Sequence, residues 1–500
     1  MIIKVKESKP SREIETDACV IGSGAGGAVM AKELAEGGLK VVILEKGKRF
    51  TKYDFTQKER EMFPRLYEER GLRTTKDQSI IVLHAQGVGG TTLVNHNICF
   101  RAPEFVLRDW ERRGVKDISP ELMASHYEKV EREISVSSIQ PEEVSRNDQI
   151  FHRGAERMGL GPKRFFHNRK DCIGCGFCYC GCSYDRKQNM ALTYIPKAEA
   201  AEAEVLHSTE AQVIEKKGNR VTSIVASQVN GTEGQRFRIR AKRFILAGGG
   251  ISTPALLLRN GFGRLNGNIG RYLTLHPILA NIGVMPEPVH FYEGIPQCEY
   301  VDKLSPSDGG GYLLEGIGAH PVLTSLSIHS FGRKFEAAMK EYNYFTVHYV
   351  MVKDRPQGEI RVSKNGTLSI HYRLHKKDQE SLRQGMKLSA QVFFSAGAKK
   401  VYLNHVDAAV LDHPEEIARI DRLKIEANRM VLYSAHQLSS CRMGSDPKSS
   451  VTDSYGKMHA IENLYLSDGS IFPTSLGHNP QLTIMALATR NAQFLLRNNS

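Results

Sequence analysis

Two stretches of this 500-residue chain carry residue types whose spacing implies chemistry. The first is Gly22-x-Gly24-x-x-Gly27, with Glu45 closing the next apolar run. Such glycines let the backbone approach a pyrophosphate, the following helix offers unpaired N–H groups, and a strand-end acid can accept from a ribose hydroxyl. The alternative is an ordinary α/β turn with a strand-ending Glu. The second stretch is Cys172-x2-Cys175-x2-Cys178-x3-Cys182, with Cys180 as an additional ligand candidate. Five of nine cysteines crowd into eleven residues, while Cys19, Cys99, Cys298 and Cys441 stand alone. A disulfide scaffold would spread them, so thiolate ligation of a metal is expected. The spacing is that of a bacterial ferredoxin loop, in which the fourth cysteine serves another cluster. One iron–sulfur centre here would need a remote ligand, a wrap through Cys180 or Cys182, or a three-iron form. Zinc, whose tetrahedral thiolate array this spacing strains, and metal-free thiols near the site are the alternatives.

The elements that must position these residues follow from the hydrophobic pattern. Residues 17–21 and 40–44 read as short apolar strands around a helix over 28–35 that Gly37-Gly38 ends. A second glycine cluster, Gly87-Val88-Gly89-Gly90-Thr91-Thr92, leads to Asn95, as suits a loop pressed on a flat ligand or a plain turn. Strands are expected at 205–206, 211–214, 221–225, 237–239 and 243–246. The last runs into Gly248-Gly249-Gly250 and a helix with Ser252 or Thr253 as N-cap and Pro254 in its first turn. Alternating strands over 344–352, 359–362 and 368–372, with a helix over 377–394, indicate a separate antiparallel domain. His436 lies in a loop, Asp468-Gly469 ends a strand, and Asn479 is placed to cap the last helix.

Composition bounds the class. Hydrophobic residues make up 41% and charged residues 25%, the balance of a globular protein rather than a disordered chain or a rod. No apolar run approaches the ~18 residues of a membrane span. The start Met1-Ile2-Ile3-Lys4-Val5-Lys6 lacks the apolar core of a secretory signal, so a cytoplasmic location is expected. The net charge of +13 is scattered, with no aromatic-studded basic motif, which argues against nucleic-acid binding. It is compatible with an acidic protein partner or peripheral contact with a membrane.

Four motifs in one order resemble the glucose–methanol–choline (GMC) flavoprotein oxidoreductases. They are the turn at 22–27, the Gly89-Gly90-Thr91-Thr92 loop with Asn95, the Gly248–Leu258 stretch and the terminal His/Asn block. The branch with a Cys-rich insert, which includes cholesterol-oxidase-like, long-chain-alcohol and sugar-dehydrogenase-like members, is the nearest in kind. The resemblance implies FAD as the dinucleotide, in a discontinuous α/β Rossmann-like domain of residues 1–105, 195–275 and 431–500. Residues 106–194 would be a helical segment carrying the cysteine insert, and 276–430 an α+β substrate domain with an antiparallel sheet.

The resemblance makes His436, in a His-x-x-x-Ser-Cys register, the base facing the flavin, and Asn479 rather than its neighbour His478 the partner. An imidazole suits proton removal near neutral pH, and an amide N–H can hold the hydroxyl or alkoxide oxygen. Gly22, Gly24, Gly27, Glu45, Gly89, Gly90, Thr91, Asn95, Asp468, Gly469 and Thr483 would hold the cofactor. Val94 stands where some members attach FAD through a His, with His96 two residues on, so FAD is expected to be non-covalent. The reaction implied is oxidation of a CH–OH group by hydride transfer to flavin N5. An iron–sulfur centre would make this a dehydrogenase passing electrons to an acidic acceptor protein or a quinone. An oxidase using dioxygen, with structural cysteines, and an electron-transfer subunit are the alternatives. Sugar, sterol, polyol and fatty alcohols all fit.

Overall fold

The computed structural model describes residues 12–229, 235–307 and 309–498; the Met1–Lys6 start lies outside them. β1 (Arg12–Ile21) alternates at first and is then wholly buried from Ala18 to Ile21, as a strand covered on both faces must be. It turns at residues 22–24 into α1 (Ala25–Glu36), which Gly37 caps, and returns as β2 (Val41–Leu44) parallel to β1. β3 (Glu204–Leu206) joins β2 in parallel. β4 (Thr209–Lys217), β5 (Arg220–Gln228) and β6 (Arg236–Leu246) form an antiparallel meander whose last strand runs parallel to β1 on its other side. The two runs expected at 237–239 and 243–246 are thus one strand. α2 (Gly249–Arg259) follows β6.

The chain then builds a nine-stranded second sheet. Its centre is β7 (Ile278–Val284), β8 (Glu299–Leu304), β9 (Gly311–Gly316) and β10 (Phe345–Val352), all antiparallel to their neighbours. Leu279, Leu314, Val350 and Val352 bury one face under Leu382, Met386 and Phe393 of α3 (Lys376–Ser395). The period of two sends Ile278, Glu315, Tyr349 and Met351 to the opposite face. β11 (Leu432–Ser434) and the strand Ile80–Val82 pair with each other and join this second sheet, although both fall in stretches assigned above to the FAD domain. β12 (Leu464–Leu466) goes back to the first sheet, parallel to β6. α4 (Gln481–Arg497) packs on α1 and on the helix Pro120–Glu133.

Two expected caps are used differently. α2 starts at Gly249 with Gly248 as its cap, and the Thr253 hydroxyl turns back to accept from Gly248 N at 3.0 Å. α4 starts at Gln481 behind Pro480, which leaves Asn479 outside the helix and free of the capping task.

The tightest approach in the nucleotide-binding half is between α1 and the end of β12. A Cβ built on Gly26 would lie 1.7 Å from the Ser467 carbonyl oxygen. Gly26→Ala is therefore expected to destabilise the protein by about 3 kcal/mol or more, read by denaturant unfolding. Gly267→Ala, where nothing lies within 4 Å, should change stability by less than about 0.5 kcal/mol.

Candidate active site

The two glycine loops form one wall of a cavity of about 390 Å³, within the range of ligand clefts. Gly22, Gly24, Gly90, Thr91, Asn95, Glu45, Asp468 and Gly469 all line it. Gly22 has a φ of 103°, and a Cβ there would meet Ala247 O at 2.4 Å, so only glycine makes this turn. Gly90, at φ 56°, presses against Gly24, where a Cβ would come within 2.7 Å of the Gly24 Cα. The first turn of α1 holds no acid, leaving its N–H groups and dipole for an anion. These residues fit an FAD pyrophosphate.

Buried carboxylates order the cradle. Glu45 Oε2 accepts from Ser23 N at 3.1 Å and Ser23 Oγ at 2.7 Å, while Oε1 accepts from Gly47 N at 2.8 Å and Gly87 N at 3.4 Å. Burial pushes its carboxyl above the usual range. These bonds tie the two glycine loops together at a residue that borders the cavity. Asp468 Oδ2 accepts from Gly249 N at 2.8 Å and Thr253 Oγ1 at 2.6 Å, and Oδ1 from Ser470 N at 2.8 Å. Gly27, Gly89 and Thr483 do not line the cavity. A Cβ on Gly27 would strike Gly22 O at 1.9 Å, Gly89 N donates to Ser23 Oγ at 3.0 Å, and Thr483 bonds the Tyr127 hydroxyl at 3.0 Å. All three are packing residues.

His436 follows β11 and Asn479 precedes α4, and both border the same cavity. His478 does not; it stacks on Phe100 with centroids 4.1 Å apart and faces Asp302. The histidine that the sequence reading missed is His276. Its Nδ1 lies 3.2 Å from His436 Nδ1, and its Nε2 accepts from Gly477 N at 3.0 Å. Burial drives His276 well below the usual imidazole range and His436 down to about 4, so both are neutral at pH 7. A backbone amide can only donate, so His276 carries its hydrogen on Nδ1 and gives it to His436 Nδ1. The hydrogen of His436 then sits on Nε2. Among the described residues no partner occupies His436 Nε2 or Asn479 Nδ2, and neither is sealed from the cavity. A spacing motif anchored on the flavin-side His has no term for His276, whose signal is only a lone His before Pro277.

The cysteine insert lies beside this site but is not arranged as expected. Among the described residues no three His, Cys, Asp or Glu side chains come together to hold a metal. Cys178 and Cys180 bracket a 3₁₀ turn that turns the Cys180 side chain into a cluster with Phe55, Leu66 and Tyr67. Burial pushes the Cys178 thiol up to about 12. The buried Lys187 ammonium donates to Cys178 O at 2.7 Å and to Asn95 O at 2.8 Å, latching the insert to the flavin loop. Among the described residues Cys172, Cys175, Cys178 and Cys182 form no metal-holding group, and the Lys187 latch takes the backbone carbonyl of Cys178 rather than its thiol.

Residues 63–278 match the N-terminal and 354–488 the C-terminal domain of the GMC oxidoreductases, and 20–64 match a Rossmann-like NAD(P)-binding domain. The GMC-type oxidoreductase y4nJ of Sinorhizobium fredii is 30% identical, with 98% of this chain and 96% of that protein covered. The chain belongs to the GMC oxidoreductase family. Its cofactor is FAD, and it is an FAD-dependent oxidoreductase with a Rossmann-like domain beside a mixed α/β domain. The long-chain-alcohol oxidase FAO4B of Arabidopsis thaliana is 31% identical over 95% of this chain, which spans about two thirds (66%) of that relative's length. Pyridoxine 4-oxidase from Mesorbium loti has the same fold, with a TM-score of 0.73 at 17% identity over 96% of this chain and 98% of that one. Among the described residues, no helix of this GMC chain is long and apolar enough to cross a membrane.

The hydrogen-bond chain fixes two observables. In ¹⁵N NMR of histidine-labelled protein, the resonance lost in His436→Gln is expected to be the Nε2–H tautomer; an Nδ1–H tautomer would contradict the assignment. His436 stays neutral until pH falls through about 4, so flavin reduction should hold through pH 6.5 and be lost only near 4.

Proposed function

We propose that the chain oxidises a CH–OH group to a carbonyl, with the substrate oxygen held between His436 Nε2 and Asn479 Nδ2. The observation that carries this reading is the pair of open nitrogens in one cavity with the glycine cradle. FAD, when bound, supplies the hydride acceptor. Asn479 can only donate to the oxygen. His436 meets the oxygen first as a donor, in its resting tautomer. It takes the hydroxyl proton from the minor tautomer, in which both shared hydrogens sit one atom closer to Gly477 and His276 Nε2–H faces Gly477 N–H. Giving up that hydrogen bond costs about 1–3 kcal/mol, so His276 sets how often His436 is ready as a base.

Relatives named as long-chain-alcohol oxidase and cholesterol oxidase, together with unconverged thiols, favour dioxygen as the electron acceptor and a structural cysteine insert. This replaces the iron–sulfur dehydrogenase expected from the cysteine spacing. The rival reading, with electrons passing to an acidic protein or quinone, draws on the Lys187 latch between insert and flavin loop.

Anaerobic mixing of His436→Ala with an alcohol that bleaches the wild-type flavin should give reduction slower by about 10²–10⁴-fold with FAD retained. Unchanged reduction would refute the role of His436. Iron and acid-labile sulfide should be absent from anaerobically purified protein. Three to four irons per FAD with matching sulfide would restore the dehydrogenase reading.

A further inference from the structure

The helix Pro321–Ser325 and the turn that follows it have their polarity inverted. Thr324 and Ser327 are buried, and the Thr324 hydroxyl bends back to donate to His320 O at 3.0 Å. Val322 and Leu326, four residues apart and so on one face of the turn, are 48% and 42% exposed. Phe331, five residues on, is 91% exposed, more than any other large apolar side chain among the described residues. A surface helix normally turns its polar side to water, and a run of apolar side chains facing outward marks a place of contact.

This arrangement is imposed by the fold. The Glu59 carboxylate accepts from Val322 N at 2.8 Å, Leu323 N at 3.2 Å and the Tyr179 hydroxyl at 3.1 Å, while the Tyr179 oxygen accepts from His320 N at 2.9 Å. Leu323 and Tyr179 border the cavity from the inner side. The next helix, Arg333–Lys340, lies alongside, since its Phe335 and Met339 pack on the same cluster as Leu323. It opens with two exposed cations, Arg333 and Lys334, at the end where the helix dipole disfavours them. The nearby acids Glu336 and Glu341 are paired with Lys340 and Lys400, and among the described residues neither Arg333 nor Lys334 has an acidic partner.

We infer that residues 321–334 dock the protein on a lipid bilayer with anionic headgroups. Val322, Leu326 and Phe331 enter the boundary of the acyl chains, and Arg333 and Lys334 stay level with the phosphates, the division of labour of an interfacial segment. A second copy of this chain does not suit the patch, because an isologous contact would set its unpaired cations against themselves. Docked in this way, the one helical turn that carries Leu323 on its inner side separates the bilayer from the cavity. The inference stands on this surface alone and does not depend on the oxidation reading.

The test is co-sedimentation of the FAD-loaded protein with vesicles of phosphatidylcholine and phosphatidylglycerol, and with vesicles of phosphatidylcholine alone. Binding to the mixed vesicles is expected, with affinity for the neutral ones lower by about ten-fold or more. Phe331→Ser should weaken binding to the mixed vesicles by about ten-fold or more, and Arg333→Gln combined with Lys334→Gln by a similar factor. Since Trp110 is the chain's one tryptophan and is buried, Phe331→Trp adds an emission of its own. That emission should shift to the blue on the mixed vesicles and be quenched by brominated acyl chains. No binding to either vesicle, or equal binding to both, would overturn the inference. Salt-sensitive binding that Phe331→Ser leaves unchanged would overturn it in favour of the charge scattered over the rest of the surface. Self-association that Phe331→Ser abolishes, without vesicle binding, would assign the patch to a second copy.

Discussion

The carboxylate of Asp354 holds together the segments on which the active site depends. It is buried, and it accepts from Leu275 N at 2.8 Å, His276 N at 3.0 Å, Tyr372 OH at 2.5 Å and Ser475 Oγ at 3.0 Å. These bonds fasten the end of β10 to the segment before β7 and to the loop that carries Gly477 and Asn479. They also keep His276 in a left-handed conformation, φ 44°, which a residue with a Cβ adopts only when its surroundings insist. Without that conformation His276 could not reach Gly477 on one side and His436 on the other. Burial pushes the Asp354 carboxyl up to about 6, a sign of how much solvation has been exchanged for these bonds.

The same device recurs. Glu45 joins the two glycine loops, Asp468 joins α2 to the end of β12, and Asp148 joins the helix Arg146–Arg157 to β8 through Cys298 N and Glu299 N. Each is a carboxylate deep in the protein whose partners are mostly backbone N–H groups from distant parts of the chain. A discontinuous nucleotide-binding sheet needs such ties, because its strands come from both ends of the sequence and no short connection sets their register. The first sheet carries the glycine cradle, and the second sheet forms another wall of the same cavity. His436 and Asn479, to which the proposed reaction assigns the substrate oxygen, sit in loops where the two meet.

What the sequence disclosed was whatever obeys local rules. The strand–turn–helix at 17–35, the β4–β6 meander and the long helix α3 follow from periodicity and glycine placement, and the motif register located His436 and Asn479. What it hid depends on contacts between distant residues. The His276 tautomer and the Asp354 tie each join residues far apart in number, and single polar residues give no periodic signal. Thr483 shows the converse: a residue in the right motif whose hydroxyl bonds Tyr127 away from the cavity. The spacing of Cys172, Cys175, Cys178 and Cys182 likewise pointed to a metal-holding group that the described residues do not form.

The buried carboxylate of Asp354 positions His276 and, through it, His436, the base of the proposed reaction. The most direct test of this compares Asp354→Asn with the wild type, measuring FAD content and the rate of anaerobic flavin bleaching by the same alcohol. The account expects FAD to be retained, since the cradle lies on other residues, and bleaching to slow by about ten-fold or more as His276 loses its charge-assisted anchor. An Asp354→Asn protein that holds FAD and bleaches at the wild-type rate would contradict it.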